Sequence, residues 1–247
     1  MIGHDFPPPG EFIEVNGRKV HIQRIGTGFP TVIFESGLFA DSYAFYQVQS
    51  KISEITSTLS YDRAGMGYSD SSPNPPRRAS VFAEELFDLL QALKIAGPII
   101  FVGWSAGGIY GREFARQHPE MVSGMVFIDS AHENLRSRQQ ADPVLTEWLK
   151  EPFDQIRMFT KFSKMTREEV LNEIESFQFP DYYTDHQLKY YKDISRPERF
   201  AYYLTLASFF EKDATQGENM LSSLGNMPLV VITKIATKMP TQSEEIN

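Results

Sequence analysis

Apolar and polar residues alternate from Glu11 to Val15 and again from Lys19 to Arg24, with Asn16-Gly17 between the two runs. A period of two marks strands, and Asn-Gly accepts positive φ at both turn positions, so this stretch predicts a β-hairpin with a type I′ turn. Thr31 to Glu35, Thr56 to Tyr61, Ile99 to Val102 and Met125 to Ile128 read as further apolar strands. The segments between them change period. Ser42 to Ile52 predicts a helix with Tyr43, Phe45, Tyr46 and Val48 as its apolar positions. Arg78 to Leu93 carries Val81, Phe82, Leu86, Leu89, Leu90 and Leu93 at helical spacing. Strands that alternate with helices from residue 31 onward predict an α/β fold, a mostly parallel sheet with helices on both faces.

The pattern breaks after Asp129. No strand signal follows until Pro228 to Ile235. Pro143 to Phe159, Thr166 to Phe177, His186 to Ile194 and Pro197 to Phe210 read as helices, with Pro143 and Pro197 near first turns. The block is rich in Phe and Tyr. Aromatic stripes on helices are mostly packing surfaces, but a helical insertion after the sixth strand would sit over the strand ends. The chain therefore divides into a core of residues 1–130 and 216–247 and a helical cap of residues 131–215. There is no internal repeat.

Phe101-Val102-Gly103-Trp104-Ser105-Ala106-Gly107-Gly108 carries the most chemical information. A short strand runs into G-x-S-x-G and then into a helix ending near His118. That order is a nucleophile elbow, a sharp turn that lifts a serine hydroxyl above the sheet. The positions two before and two after the serine must be nearly free of side chain so that strand and helix can approach. Gly103 and Gly107 meet that need, and Gly108 lets the helix pack closer. The turn aims Ala106 N–H at the place where an oxyanion forms.

Composition narrows the alternatives. The chain has 247 residues, 41% of them hydrophobic, which suits one large domain or a domain with an insertion. No apolar run is long enough to span a bilayer, and Met1 to Pro9 lacks the basic start and apolar stretch of a signal peptide. A cytoplasmic location is the expectation from those features. A net charge of −8, with no basic cluster beyond Arg77-Arg78, argues against nucleic acid as a partner. The absence of cysteine removes disulfides, thiolate metal sites and a cysteine nucleophile. The five histidines show no metal-binding spacing, so neither metal nor cofactor is expected.

Three motifs together resemble the α/β-hydrolase superfamily in its esterase- and lipase-like branch. They are Glu35-Ser36-Gly37-Leu38-Phe39 after the third strand, Tyr61-Asp62-Arg63-Ala64-Gly65-Met66-Gly67-Tyr68-Ser69-Asp70 after the fourth, and the elbow. The resemblance covers residues 11–130 well and extends to 226–235. It implies Ser105 as nucleophile, with Leu38 and Ala106 supplying the backbone N–H groups of an oxyanion hole. Asp129, which ends the sixth strand, is implied as the acid of the triad. Gly37, Trp104 and His132 are pocket candidates, Trp104 standing where many relatives have His. Asp62 and Arg63 read as an ion pair or loop brace behind the site. The implied activity is hydrolysis of an ester or related small-molecule acyl substrate. A serine nucleophile disfavours dehalogenase and epoxide hydrolase chemistry, which use a carboxylate there, and leaves peptidase and C–C bond hydrolysis open.

The family places its catalytic histidine after the last strand, and no histidine here follows His186. The missing last strand, histidine loop and final helix would take on the order of 40–60 residues at ordinary element lengths. Hence the expectation is a C-terminally incomplete hydrolase of impaired activity, with a self-associating, uncovered strand-7 edge. A non-catalytic ligand-binding protein using the capped pocket is the alternative. His132, three residues past Asp129, is the substitute base nearest the site in sequence.

Overall fold

The computed structural model describes residues 9–72, 78–132, 150–177, 179, 184–213 and 224–233. Seven strands among them form one sheet: β1 (Glu11–Val15), β2 (Arg18–Ile25), β3 (Thr31–Glu35), β4 (Thr58–Tyr61), β5 (Ile99–Trp104), β6 (Val122–Ile128) and β7 (Leu229–Ile232). Their order is β1-β2-β4-β3-β5-β6-β7. β1 and β2 run antiparallel, β2 meets β4 antiparallel, and every other pairing is parallel. The mostly parallel α/β sheet expected from the alternating periods is the one observed. The β1–β2 turn has Asn16 at φ +52° and Gly17 at φ +74°, both positive as a type I′ turn requires.

The helices are α1 (Tyr46–Ile52), α2 (Ala79–Ala92), α3 (Gly107–Gln117), α4 (Lys150–Phe162), α5 (Arg167–Glu175), α6 (Asp185–Ile194) and α7 (Pro197–Asp213). Residues 42 to 52 differ from expectation. Ser42–Phe45 is a 3₁₀ turn, started by Asp41, whose carboxylate accepts from Tyr43 N–H at 3.0 Å. Val48 is exposed, whereas Gln49 is fully buried. The Gln49 amide donates to Gln23 O at 2.8 Å and accepts from Ser60 Oγ at 2.6 Å, which lets a polar side chain face inward. β4 begins at Thr58, later than expected; Thr56 still belongs to the turn after α1, its N–H donating to Ile52 O at 3.2 Å.

The helical block between β6 and β7 is present. α5 and α6 each start with a capping box, Thr166 with Glu169 and Thr184 with Gln187. Of the stretch expected to be helical from Pro143, residues 143–149 lie outside the described residues, and α4 extends to Phe162. The expected strand from Pro228 to Ile235 is seen as β7. Residues 234 and 235 lie outside the described residues.

Two apolar clusters matter for the site. One joins the sheet to α2 and α3 through Ile33, Leu59, Leu86, Leu90, Phe101 and Phe114. The other joins the helical block to the strand-end loops. Phe159, Phe162, Phe200, Tyr203 and Leu206 pack with Ala106, with Ile109 and Tyr110 of α3, and with Leu38 and Phe39 after β3. Burial of those aromatic faces holds the helical block down on the rim that carries Ser105.

Candidate functional site

Parallel register brings three loops to one rim. Glu35 of β3 pairs with Gly103 of β5, and Trp104 of β5 with Ile128 of β6. The segments beginning at Ser36, Ser105 and Asp129 therefore leave the sheet side by side at its carboxyl edge, where open α/β sheets bind ligands.

Ser105 has φ +52°, in the left-handed region that residues with a side chain rarely occupy. The chain is held there from both sides. Ser105 N–H donates to Ile128 O at 3.1 Å, and Ser105 O accepts from Ala131 N–H at 2.9 Å and Gly108 N–H at 3.1 Å. Glycines make the close approach possible. A Cβ on Gly103 would meet Gly107 O at 2.7 Å, and one on Gly108 would run into Ser130 Oγ. Ala106, fully buried, immediately precedes α3, so its N–H has no intrahelical partner. A Cβ on Gly37 would stand 3.3 Å from Ser105 Cβ, which places the loop carrying Leu38 directly beside Ser105. Trp104 covers the neighbouring surface and is 36% exposed.

Asp129 also has a positive φ, +43°, and its N–H donates to Ile232 O at 2.7 Å. Two of the three backbone bonds of Ser105 fall on Ile128 and Ala131, either side of Asp129. Asp129 is exposed, as is His132 three residues on.

Arg63 organises the loop beside Ser105. Its guanidinium donates to Glu35 Oε1 at 2.5 Å, Ser36 O at 2.8 Å, Gly37 O at 2.5 Å, and Leu38 O and Ala40 O at 3.2 Å each. It also lies over the Phe82 and Tyr110 rings. Carbonyls turned toward Arg63 fix the course of residues 36 to 40. Burial opposes the charge of Arg63, but Glu35 more than offsets it and raises its pKa. The same burial pushes Glu35 up, against the pull of Arg63 and the Tyr61 hydroxyl.

Asp62 does not pair with Arg63. It is fully buried and accepts from Ser42 N–H and Tyr68 N–H at 2.8 Å each and from His21 Nδ1 at 2.8 Å. His21 Nε2 is bonded to Pro9 O. With an acceptor on each ring nitrogen, His21 is held as an imidazolium, its pKa raised by Asp62 against the cost of burial. Burial would raise Asp62, yet His21 pulls it below its ordinary value. His21 stands on β2, with β4 and β3 between it and the strand that leads to Ser105. It is remote from Ser105, but it closes the Tyr61–Asp70 loop from behind. The signal that was available is Asp62 itself, since a buried carboxylate needs a counter-charge.

The other described histidines are also placed. His118 ends α3 with its ring stacked 4.1 Å from that of Phe87, and His186 of α6 bonds the Tyr43 hydroxyl. Among the described residues, no histidine hydrogen-bonds Ser105; His4 lies outside them.

A cavity of about 130 Å³ lies between the helical block and the loop after β3. Its walls are Phe39, Asp41, Phe159, Tyr191, Ile194, Ser195, Arg199, Phe200 and Tyr203. Gly37, Trp104 and His132 are not among them. Burial and the Asp62 charge push the Asp41 carboxyl up to about 7.

Comparison with known proteins agrees with this architecture. A family model described as alpha/beta hydrolase fold matches residues 30–204. A haloalkane dehalogenase of Sphingobium indicum is 28% identical over 170 residues, 66% of this chain and 53% of the relative. An uncharacterised vacuolar membrane protein of Saccharomyces cerevisiae is 32% identical over 109 residues, 43% of this chain and 17% of the relative. The matched part thus spans about half or less of these curated relatives. Among solved structures, a protein of Nostoc sp. PCC 7120 described as an alpha/beta hydrolase superposes with TM-score 0.70 at 14% identity, covering 90% of this chain and 79% of that one. The epoxide hydrolase CorEH superposes with TM-score 0.65 at 15% identity, covering 90% and 81%.

Proposed function

Because the chain belongs to the α/β-hydrolase family, we propose that it is a serine hydrolase acting on an ester or related acyl substrate, with Ser105 as the nucleophile. The observation that carries this reading is Ser105 at φ +52° between β5 and α3, in a turn that only the surrounding glycines permit. Stored strain of this kind presents the hydroxyl above the helix N-terminus. Ser105 Oγ attacks the acyl carbon, the bond to the leaving group breaks, and water then hydrolyses the acyl-serine. Leu38 and Ala106 N–H groups stabilise the oxyanion, and the block α4 to α7 acts as a cap. Asp129 is the acid that orients the base. Dehalogenase and epoxide hydrolase chemistry, named for two of the similar proteins, calls for a carboxylate nucleophile where this chain has Ser105.

The base is the remaining member. His132, three residues past Asp129 and exposed beside it, is the histidine proposed for that role. A misplaced base lowers turnover by about 10⁴–10⁶. The 247 residues should therefore hydrolyse p-nitrophenyl butyrate close to background. A fluorophosphonate probe should still mark Ser105 slowly, read by peptide mass spectrometry. Labelling elsewhere, or none after prolonged exposure, overturns the serine nucleophile. Brisk turnover lost in both Ser105→Ala and His132→Ala identifies His132 as the base.

Engagement of His21, His118 and His186 elsewhere also favours a second reading, a ligand-binding protein built on a hydrolase frame. Saturable binding of an acyl compound, unchanged in Ser105→Ala and without probe labelling, would establish it.

A further inference from the structure

The cavity under the helical block holds a buried cation with unused donors. Nε and Nη1 of Arg199 are shielded from solvent and have no hydrogen-bond partner. The guanidinium does contact the Tyr203 hydroxyl. Among the described residues, no ion pair joins Arg199 to a carboxylate. Asp41 lines the same cavity and feels the charge of Arg199 without forming an ion pair with it. Leaving charged donors buried and unpaired is costly, and an acceptor that enters the cavity relieves that cost.

The other walls say what body the acceptor is attached to. Phe39, Phe159, Phe200 and Tyr203 supply aromatic faces, and Phe159 meets both Phe39 and Tyr203 edge-on. Ser195 spends its hydroxyl on Tyr191 O at 2.7 Å, so it adds no free donor. The volume equals on the order of four water molecules at ~30 Å³ each. One cation facing a carboxyl group balances a monoanion better than a phosphate dianion. Gly37 adjoins Ser105, and Phe39 is two residues further along the same loop. That spacing is at most about 7 Å of chain.

We propose that this cavity is a subsite for a carboxylate on an aromatic or branched apolar body, with Arg199 as the residue that selects it. It rests on the serine hydrolase reading only in making that carboxylate part of the substrate, a few bonds from the acyl carbon that Ser105 attacks. Asp41 opposes the same anion. It faces Asp62 and His21 on the sheet side, and Arg199, Tyr190 and Tyr203 on the helical side.

The test is calorimetric binding of phenylacetate against its neutral counterpart phenylacetamide, at pH 8. Phenylacetate should bind about tenfold or more tightly, as a charge-assisted hydrogen bond provides. Arg199→Met should erase the difference and Ser105→Ala should keep it. Asp41→Asn retains the cap on the 3₁₀ turn and should tighten phenylacetate alone, so it decides the matter if Arg199→Met does not fold. Equal affinities in the wild type, or a preference that survives Arg199→Met, overturn the proposal. So does an Asp41→Asn protein that binds both ligands as the wild type does. A preference that holds while the fluorophosphonate leaves Ser105 unmarked keeps the subsite and removes only the catalytic reading.

Discussion

His21 Nδ1 lies 2.8 Å from Asp62 Oδ2, and neither side chain is exposed to solvent. The pair closes the loop from Tyr61 to Asp70 against β2, with Ser69 Oγ accepting from His21 N–H at 2.8 Å and donating to Asp62 O at 2.6 Å.

This arrangement fixes how stability depends on pH. His21 is held above its ordinary 6.5. Its contribution is complete below that value and fades as pH rises through the raised folded pKa. Asp41 moves from 3.8 to about 7, so the fold favours its protonated form. That preference helps below 3.8 and is lost as pH climbs toward 7. Asp62 lies below its ordinary 3.8, so its share is present above that value and disappears only in stronger acid. Thermal unfolding should therefore peak between about pH 4 and 6 and decline toward pH 8. His21→Gln should lose more stability at pH 5.5 than at pH 8, and a uniform loss would contradict the imidazolium assignment.

Arg63→Met should destabilise the protein by about 3–5 kcal/mol, because it leaves Glu35 buried and charged without its partner. Adding Glu35→Gln should recover part of that loss in urea unfolding. Strictly additive losses would mean that the two side chains do not act together.

Alanine usually strengthens a helix relative to glycine by about 1 kcal/mol. Gly108→Ala, in the first turn of α3, should do the reverse, since its Cβ runs into Ser130 Oγ. Ser130→Gly in the same chain should restore stability. Gly17→Ala meets nothing within 4 Å and should cost only the backbone term of its positive φ, about 1 kcal/mol.

Leu229, Val230, Val231 and Ile232 of β7 are 46%, 53%, 59% and 51% exposed. An apolar strand open to solvent templates further pairing. Light scattering should show mass rising with concentration, and Val231→Lys should shift the protein toward monomer. A wild type that stays monomeric at high concentration would contradict this.

Most of the frame was legible from local pattern. Alternation gave β1 and β2, apolar runs gave β3 to β6, the elbow gave α3, and helical spacing gave α2 and α5 to α7, to within a few residues; the central strands read as unbroken apolar runs because they are buried on both faces. Residues 42 to 52 were not legible in this way. Tyr46 and Val48 face outward and Gln49 faces inward, and nothing in the periodicity says that Ser60 and Gln23 will satisfy a buried amide.

The sequence by itself determined the family, the elbow and the order of its loops. Glycines at 103, 107 and 108 let strand and helix approach closely enough for a serine to sit between them at positive φ. Only the tertiary structure decided the partners of the charges. Asp62 and Arg63 are neighbours in the chain, yet successive residues leaving a strand point in different directions. One therefore meets His21 of β2 and the other Glu35 of β3. The cavity with Asp41 and Arg199 was likewise beyond sequence reading. Its walls come from residues 39 to 203, and which donors stay unpaired depends on how the helical block settles on the rim.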